Sequence, residues 1–437
     1  MAVLTLYKKL LLILPDSQRG YYGKVSKSGK SGFVRMALPT LAGLMPSDWD
    51  VEIHDARTTP VDYNKEVGLV GITSYTADIT SACKIADGFR SKGVKVVMGG
   101  VHVSALPDEA LQHADAIVVG EAEAVWEGLI RDCEKGELKT IYKTNTLIEM
   151  SGMAIPRRDL LDSSMYSSFY SVQATRGCPF NCEFCTVTAF FGQEFRTRPV
   201  EEVVEEIKGL DTKEFFFIDD NITGRPGFAK KLFKELIPLN CIWGSQTTLN
   251  FAKDEELLSL YSKSGGRYAF IGFETLSDEN LSKISKSWNS PDGYKEAIKR
   301  IHGVGVNIIG SFIFGLDGDT PDVFERTYNF IMENKIDAAQ FHILTPFPGT
   351  KLYDDMVKEN RITDSDWSKY HTGEVVFKPA KMTARELQEG YWWAYHKTYN
   401  MRNILRRSLR SPRGLAYRIG TNLSYRRKTR KMPHVMS

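Results

Sequence analysis

Residues 171–185 read SVQATRGCPFNCEFC, a short strand-like segment followed by three cysteines in C-x3-C-x2-C spacing. Cys178, Cys182 and Cys185 share one loop, whose glycine and proline favour a turn. Three thiolates on such a loop can bind three irons of a [4Fe-4S] cluster, which leaves the fourth iron open to a ligand that is not protein. The segment therefore predicts a catalytic iron–sulfur cluster in a loop that follows a strand.

A zinc site and simple packing are the alternative roles for these cysteines. A structural zinc site normally takes four protein ligands, and no further cysteine or histidine stands at zinc-finger spacing. Three cysteines buried only for packing would be unusual in so polar a loop. Cys83, Cys133 and Cys241 are scattered along the chain, and each is interpreted as a small buried apolar residue. Six cysteines in 437 residues predict no disulfide framework, so a reducing, cytoplasmic location is expected.

Six segments around and after the cysteine loop have the composition of buried strands, and amphipathic helices separate them. The predicted strands are Ser171–Arg176, Glu214–Ile218, Ile242–Thr247, Ala269–Glu274, Asn307–Phe314 and Ala338–Leu344. The predicted helices are Val200–Leu210, Gly227–Leu236, Asp254–Ser264, Asp278–Lys286, Pro291–Gly303 and Thr320–Asn334. Six βα units within residues 166–380 predict a parallel barrel that is incomplete relative to the eight-unit form.

Residues 1–140 predict a second α/β domain on the amino side of the barrel. Its candidate strands are Leu10–Leu14, Val51–His54, Leu69–Thr73, Val94–Met98 and Ala116–Val119, with helices at Ser81–Lys92 and Pro107–His113. Continuous apolar strands separated by helices are typical of a parallel sheet covered on both faces. The pattern predicts a doubly wound, Rossmann-like domain, and residues 141–165 are interpreted as a linker. The sequence contains no run of eighteen apolar residues, so it predicts no membrane-spanning helix.

The carboxyl-terminal residues 381–437 predict a helical region that ends in a basic tail. Thr383 and Glu386 form a capping-box pattern at its start. Residues 401–437 contain eleven Lys or Arg and no Asp or Glu, whereas the other 400 residues hold 46 basic and 54 acidic side chains. Basic residues interleaved with leucines and tyrosines suit contact with an anionic membrane surface. A solvated, disordered tail is the alternative, and no specific nucleic-acid binding is predicted because no reader motif is present.

The cysteine loop resembles that of the radical SAM superfamily, whose members cleave S-adenosylmethionine (AdoMet) reductively. The chain is most similar, over roughly residues 50–400, to the subgroup with an N-terminal cobalamin (B12)-binding domain, which includes hopanoid and bacteriochlorophyll-pathway enzymes. In that family an aromatic residue before the third cysteine, here Phe184, packs by the AdoMet adenine. The resemblance implies three cofactors, namely a [4Fe-4S] cluster, AdoMet and cobalamin.

The resemblance also implies further AdoMet-binding residues at the carboxyl ends of barrel strands. These are Asp219, Asp220, Asn221, Ser245, Gln246, Glu274 and Gly310. For the carboxylates and Asn221, the alternatives are a helix cap, a turn or a strand-end salt bridge. Arg196 and Arg198 could meet an anion of AdoMet or substrate, but a surface pair with Glu201 or Glu202 is the preferred interpretation.

Three glycine- and hydroxyl-rich segments of the first domain resemble the strand ends of the cobalamin fold. The implied cobalamin-binding residues are Gln18, Ser74, Tyr75, Thr76, Gly99, Gly100, Val101, His102, Gly120 and Glu121. The D-x-H-x-x-G motif that supplies a lower cobalt ligand in the wider family is absent from the sequence. A domain kept for packing or substrate, without cobalamin, therefore remains an alternative.

The function implied by the resemblance is methylation of an unactivated carbon on a hydrophobic substrate such as a lipid, isoprenoid or tetrapyrrole. AdoMet cleavage would supply a hydrogen-abstracting radical, and methylcobalamin would supply the methyl group. An external reductant of the flavodoxin or ferredoxin type is the expected electron source. The alternatives are a radical SAM cyclase, oxidase or rearrangement enzyme with a vestigial B12 domain, or a cobalamin or redox sensor.

Overall fold

The computed structural model describes residues 7–16, 31–144, 146–168, 170–410 and 414–433 of the chain. Within these ranges the first α/β unit contains seven strands, β1 (Lys9–Leu14), β2 (Ser31–Phe33), β3 (Asp50–Asp55), β4 (Leu69–Thr73), β5 (Lys95–Gly99), β6 (Ala116–Val119) and β7 (Ile141–Lys143). Its helices are α1 (Ala37–Gly43), α2 (Ile79–Arg90), α3 (Val101–Ala105), α4 (Pro107–Leu111) and α5 (Trp126–Lys135).

Six of these strands form one parallel sheet in the order β3-β1-β4-β5-β6-β7. Strand order reverses next to β1, which places a ligand crevice at the carboxyl ends of β1 and β4. The apolar strand β1 is buried, and separate apolar clusters pack on the two faces of the sheet. This confirms the predicted doubly wound domain.

The first domain extends beyond the boundary predicted at residue 140. β7 pairs in parallel with β6, so the predicted linker begins with a strand of the sheet. Only Tyr142 of its three residues is buried, which is the pattern of a short edge strand and gives little periodicity to detect. Near the other end of this segment, β8 (Tyr166–Ser168) pairs with β2 rather than with the barrel.

The second unit is the predicted incomplete barrel. Its remaining strands are β9 (Ser171–Val172), β10 (Thr175–Arg176), β11 (Arg196–Thr197), β12 (Glu214–Phe217), β13 (Ile242–Thr247), β14 (Gly266–Glu274), β15 (Asn307–Phe314) and β16 (Ala338–Ile343). The helices are α6 (Thr186–Phe191), α7 (Val200–Lys208), α8 (Pro226–Leu236), α9 (Glu255–Lys263), α10 (Asp278–Lys283), α11 (Tyr294–Gly303), α12 (Val323–Glu333) and α13 (Lys351–Lys358). Six parallel strands follow the order β16-β15-β14-β13-β12-β9.

The first barrel strand was predicted as one segment, Ser171–Arg176, but the structure divides it. β9 lies in the barrel sheet, whereas β10 pairs in antiparallel fashion with β11. Between them, the Asp219 carboxylate accepts hydrogen bonds from the Ala174 N–H at 3.2 Å and from Thr175 Oγ1 at 2.6 Å. A buried side chain thus replaces a neighbouring strand as the hydrogen-bond partner, and the chain leaves the sheet toward the cysteine loop.

In the described residues after α13, three α-helices follow, α14 (Ala384–Thr398), α15 (Met401–Ser408) and α16 (Leu415–Thr429). The predicted capping box at Thr383 and Glu386 is present. The basic tail is folded against the barrel in its described part, since the side chains of Arg407 and Arg418 are buried. The alternative of a disordered tail is therefore wrong for these residues. No helix in the described ranges has both the length and the apolar composition of a membrane span.

Candidate active site

The cysteine loop lies between β10 and α6, and Cys185 is the N-cap residue of α6. Burial raises the pKa of Cys178 to about 11 and that of Cys182 to about 12, so iron binding must displace protons from these thiols. Within the described residues, no group of three or more His, Cys, Asp or Glu is arranged to hold a single metal ion. This does not conflict with a cubane, in which each thiolate binds a different iron.

The loop is held by contacts with residues from distant parts of the barrel. The Phe180 ring stacks on Trp288 with centroids 3.9 Å apart. The Glu183 backbone oxygen accepts from the Leu352 N–H at 3.1 Å, and the Glu183 carboxylate accepts from Ser285 Oγ at 3.1 Å. Phe184 is partly buried against the barrel core. These contacts hold the loop against the barrel.

The polar residues after β12 divide into different roles. Asp219 is fully buried and holds β10, and burial raises its pKa to about 7. Asp220 lines the large cavity between the two domains, accepts a hydrogen bond from the Gly177 backbone, and has a pKa that burial raises to about 6. Asn221 is buried, and its Oδ1 accepts a hydrogen bond from Thr223 Oγ1 at 3.2 Å, whereas its Nδ2 has no partner among the described residues. Asp220 is thus placed for a ligand, whereas Asp219 has a structural partner.

Neighbouring residues of the other barrel strands point in opposite directions, as strand geometry requires. Gln246 lines the cavity, but Ser245 is fully buried and its Oγ donates to the Phe217 backbone oxygen at 3.1 Å. Gly310 is buried outside the cavity lining, where an added Cβ would meet Phe312 and Phe273. Ser245 and Gly310 are therefore poor candidates for AdoMet contact.

Glu274 ends β14 at a register shift and has a positive φ of 63°. Its Oε1 accepts a hydrogen bond from Lys286 Nζ at 2.6 Å, and both residues are almost fully buried. Strained backbone of this kind concentrates at functional sites, where the surrounding structure stabilises it. This pair is the strand-end salt bridge that was the alternative to AdoMet binding for Glu274. The pair lies near Cys182, and the charges of both Lys286 and Glu274 influence the pKa of that thiol.

A cavity of about 980 Å³ joins the carboxyl edge of the first sheet to the interior of the barrel. Seven of the residues predicted to bind cobalamin line this cavity, namely Ser74, Tyr75, Gly99, Gly100, Val101, Gly120 and Glu121. A further part of the lining lies between the first sheet and α1, and includes Leu12, Gly71 and Leu38. Substrate and cofactors that enter this space would share one enclosure.

The cavity wall in the first domain fits a large cofactor. Ser74 Oγ is buried and has no hydrogen-bond partner among the described residues, so a donor and acceptor is available to a ligand. Gly100 has φ +105°, and an added Cβ would stand 2.6 Å from the Ser74 backbone oxygen. Gly120 has φ +85° with open space where a Cβ would project. The residues present are thus compatible with cobalamin and its nucleotide tail.

Among the predicted cobalamin residues that the structure describes, two do not line the cavity. Thr76 and His102 are buried outside it. His102 Nε2 lies 3.4 Å from Glu109, and its ring packs edge-on against Trp367 at 5.2 Å, so this histidine links the domain to the segment after the barrel. Gln18 lies outside the described residues.

The Glu121 side chain forms a buried ion network between the two domains. Its oxygens accept from Arg176 Nη1 at 2.8 Å and from Arg196 Nη1 at 2.7 Å. Burial acts to raise the pKa of Glu121, but the hydrogen bonds from Arg196 and Arg176 outweigh it and lower the pKa. The prediction that Arg196 and Arg198 form surface pairs with Glu201 or Glu202 was wrong. Arg196 pairs with Glu121, and Arg198 pairs with the buried Glu206.

Sequence reasoning missed part of the lining. Phe190 and Phe191 of α6 contribute an aromatic wall directly after the cysteine loop. A second missed set lies on α16, namely Tyr417, Thr421, Ser424, Tyr425 and Lys428. The helical spacing of this last set was a usable signal, but the prediction for the tail rested on its basic charge.

A doubly wound domain followed by an incomplete parallel barrel, with a three-cysteine loop whose flanking residues Arg176 and Thr186 line the shared cavity, defines the class of B12-binding radical SAM proteins. The radical SAM superfamily profile matches residues 172–331, and the B12-binding domain profile matches residues 33–130.

Relatives with assigned functions support the same class. The chain is 34% identical over 440 aligned residues to the bacteriochlorophyllide d C-12(1)-methyltransferase of Chlorobaculum tepidum, covering 97% of this chain and 94% of that protein. It is 27% identical to the hopanoid C-2 methylase of Rhodopseudomonas palustris, with 75% and 65% coverage. It is also 27% identical to an anaerobic magnesium-protoporphyrin IX monomethyl ester cyclase of Cereibacter sphaeroides, with 80% and 64% coverage.

Solved structures share the fold. The TsrM methyltransferase from Kitasatospora setae, with cobalamin and a [4Fe-4S] cluster bound, superposes with a TM-score of 0.69 at 15% identity, covering 97% of this chain and 99% of that one. The chain belongs to the radical SAM superfamily, in the cobalamin-dependent subgroup that contains methyltransferases. It is an enzyme whose cofactors are a [4Fe-4S] cluster, AdoMet and cobalamin, as predicted.

Proposed function

We propose that this chain methylates an unactivated carbon of a hydrophobic, tetrapyrrole-like substrate. The continuous cavity between the two domains carries the proposal, because methyl donor and hydrogen-abstracting group must both reach one carbon. Two relatives at 34% and 31% identity are named for methylation of bacteriochlorophyllide d, which supports the substrate class.

The residues of the chain have separate tasks in this proposal. Cys178, Cys182 and Cys185 would hold the cluster, and Ser74 with the glycines of the first domain would hold cobalamin. When bound, the cluster supplies the electron that cleaves AdoMet, and cobalamin supplies the methyl group. The Glu121 network joins the two domains beside the cavity and would help to hold the two cofactor sites at a set spacing.

The walls of the cavity also suit the proposed substrate. Phe190, Phe191, Phe216, Ile218 and Phe270 present apolar surface to it. Such walls exclude water, which protects a reactive radical from side reactions. Asp220 and Gln246 add polar groups that can orient AdoMet within this apolar enclosure.

A radical SAM enzyme needs an external reductant as well as a substrate. We propose a flavodoxin or ferredoxin as the electron donor. Pro179 and Asn181 of the cysteine loop are exposed. A cluster held by this loop would therefore lie close to the surface, where a redox protein can dock.

A peripheral membrane contact in the cytoplasm, at the inner face of the membrane, is also proposed. Met401 and Leu405 of α15 and its C-cap residue Leu409 are exposed and follow each other at four-residue spacing. The exposed Arg402 and Arg406 flank this row. Apolar residues with adjacent cations are the pattern of a helix that lies on anionic lipid.

Vesicle co-sedimentation tests this contact with the complete chain. We expect Leu405→Glu to reduce pelleting with phosphatidylglycerol vesicles, whereas Val357→Glu, at an exposed position of α13, leaves it unchanged. Equal pelleting of wild type and Leu405→Glu would contradict the membrane proposal. This test has no bearing on the enzymatic reaction.

The methylation itself is tested by anaerobic reconstitution with iron, sulfide and hydroxocobalamin. We expect about four irons and one corrinoid per chain. Isotope-labelled AdoMet and bacteriochlorophyllide d should then yield a product that carries the labelled methyl group, detected by mass spectrometry. AdoMet cleavage with a modified but unmethylated product would instead support the cyclase or oxidase alternative, and no AdoMet cleavage would support the sensor.

A further inference from the structure

The interior of the barrel is open along its height. In a complete barrel, layers of inward-pointing side chains fill this space. Here Phe216, Gln246, Phe270, Ile309 and Gln340 line a cavity instead. A strand of six residues such as β16 spans about 17–20 Å, so the cavity has room for an elongated molecule between the two ends of the barrel.

Helix α16 closes the amino end of this space. The Tyr417 ring stacks on Tyr268, near the start of β14, with centroids 3.7 Å apart. Asn422 Nδ2 donates to the backbone oxygen of Asp337 at 2.7 Å, directly before β16. Gln340 donates to the Tyr425 hydroxyl. The helix therefore forms the floor of the cavity, opposite the carboxyl ends of the strands.

Buried arginines hold the floor in place. Arg418 donates to Asn307 Oδ1 at 3.1 Å and to the Ser408 backbone oxygen at 3.0 Å. Arg407 Nη2 donates to Asn422 Oδ1 at 2.7 Å, and Arg410 pairs with the buried Asp337 at 2.9 Å. Arg407 and Arg418 thus hold α16 against α15 and the barrel, and Arg410 holds the segment after α15 on the barrel through Asp337.

One face of α16 is presented to the cavity, and it is polar at its carboxyl-terminal half. Thr421, Ser424 and Lys428 follow each other at spacings of three and four residues, so they share a stripe of the helix. The Lys428 ammonium lies 5.3 Å from the centroid of the Tyr425 ring. Apolar walls that end at two hydroxyls and an ammonium match a molecule with an apolar body and an anionic end.

We propose that α16 is the substrate-recognition floor of the enzyme, where Lys428, with Thr421 and Ser424, binds a carboxylate at the end of the substrate remote from cobalamin. The proposal rests on the proposed function in that it assigns this cavity to the substrate. A low-dielectric enclosure strengthens the attraction between an ammonium and a carboxylate. The chemical class is an elongated or flat apolar carboxylic acid, and its neutral ester is a weaker ligand.

The test uses the cluster- and cobalamin-loaded protein with a generic apolar acid, so that it does not depend on a tetrapyrrole. Dansylaminoundecanoic acid and its methyl ester are compared by equilibrium dialysis. We expect the acid to bind wild type about tenfold more tightly than the ester, since charge-assisted hydrogen bonds have this strength. Lys428→Met should remove the preference while ester affinity stays unchanged, and Lys428→Arg should retain part of it.

Lys431→Met is the matched control, because Lys431 is exposed just beyond the end of α16. It should keep the wild-type preference for the acid. Failure of the acid to bind, equal affinities of acid and ester, or an undiminished preference in Lys428→Met would overturn the proposal. Methyl transfer to bacteriochlorophyllide d is assayed separately, so failure of methylation and failure of the floor give different results.

Discussion

The carboxyl edges of the two parallel sheets face one cavity but are built differently. The edge of the first sheet offers glycine backbone at Gly100 and Gly120, and the Ser74 hydroxyl, which has no hydrogen-bond partner in the described part of the chain. The edge of the second sheet offers the three thiols of the cysteine loop and the carboxylate of Asp220, which lines the cavity. The first edge accommodates a large preformed cofactor by leaving room, whereas the second supplies the atoms that bind. Substitutions that add side-chain atoms should therefore weaken cofactor binding at the first edge. Substitutions that remove side-chain atoms should weaken cofactor binding at the second edge.

The largest expected effect is at the second edge. Cys185→Ser removes one thiolate, so the reconstituted protein should lose most of its iron and AdoMet cleavage should fall below detection. Corrinoid content should stay near wild type because the first edge is unchanged. Cys83→Ser, at a buried cysteine of α2, is the control that should retain iron. Loss of corrinoid in Cys185→Ser would mean that the two edges are not independent.

Adding a side chain at the first edge should have the opposite result, namely a loss of cobalamin binding with the iron retained. Gly120→Val projects into the cavity and should weaken cobalamin binding at least tenfold while iron content is retained. Gly136→Val is the matched control, because Gly136 also has a positive φ and open space around a new Cβ but lies at the end of α5. Corrinoid titration compares the two. Equal losses would show that backbone strain, not occupied space, is responsible.

Between the edges, Glu121 should matter for stability. Glu121→Ala leaves Arg176 and Arg196 without this carboxylate, and breaking a buried ion pair costs about 3–5 kcal/mol. The measurement is the urea midpoint of the protein. Glu127→Ala removes an exposed pair with Arg131 and should change stability by no more than about 0.5 kcal/mol. Similar midpoints for the two variants would mean that the interdomain network contributes little.

The buried carboxylate of Asp219 should make stability depend on pH. Burial raises its pKa from 3.8 to about 7, so the folded state binds a proton more readily than the unfolded state. Its contribution is therefore present below pH 4 and is lost as pH rises through 7. Asp219→Asn should flatten the melting temperature over this range in thermal scans. A slope equal to that of wild type would assign the pH dependence to other groups.

The smallest expected effect is at Ser74. Its hydroxyl is buried without a partner among the described residues, so Ser74→Ala should stabilise the cofactor-free protein by up to about 1 kcal/mol. The same change should weaken cobalamin binding about two- to tenfold, the value of one neutral hydrogen bond. Thermal melts and corrinoid titration give the two numbers. Effects of the same sign would show that the hydroxyl does not serve the cofactor.

The sequence was sufficient for the class of fold because long buried strands carry a strong local signal. Each predicted strand of the barrel overlaps a strand of the structure, and the cysteine spacing located the loop. The short edge strand β7 and the division of the first barrel strand were missed. The first has one buried residue, and the second depends on Asp219, which lies more than forty residues away along the chain.

The candidate site was predictable only in part, for a geometric reason. Ser245 and Gln246 are adjacent in a strand, so their side chains cannot both face the cavity. Both residues are polar, so the sequence alone does not indicate which of the two faces it. The arginines of the tail had the same ambiguity, since charge alone does not distinguish a lipid contact from the buried pair of Arg410 and Asp337. These assignments depend on tertiary contacts.

The place of α16 in the chain has a consequence for biosynthesis. This helix is translated after every strand that it covers, so the nascent barrel has no lower wall while its strands are already assembled. At about 5–20 residues per second, the interval from β16 to the end of α16 lasts several seconds or more. During that time the apolar interior is accessible to chaperones and to small molecules from below, and the final helix converts it into a closed compartment.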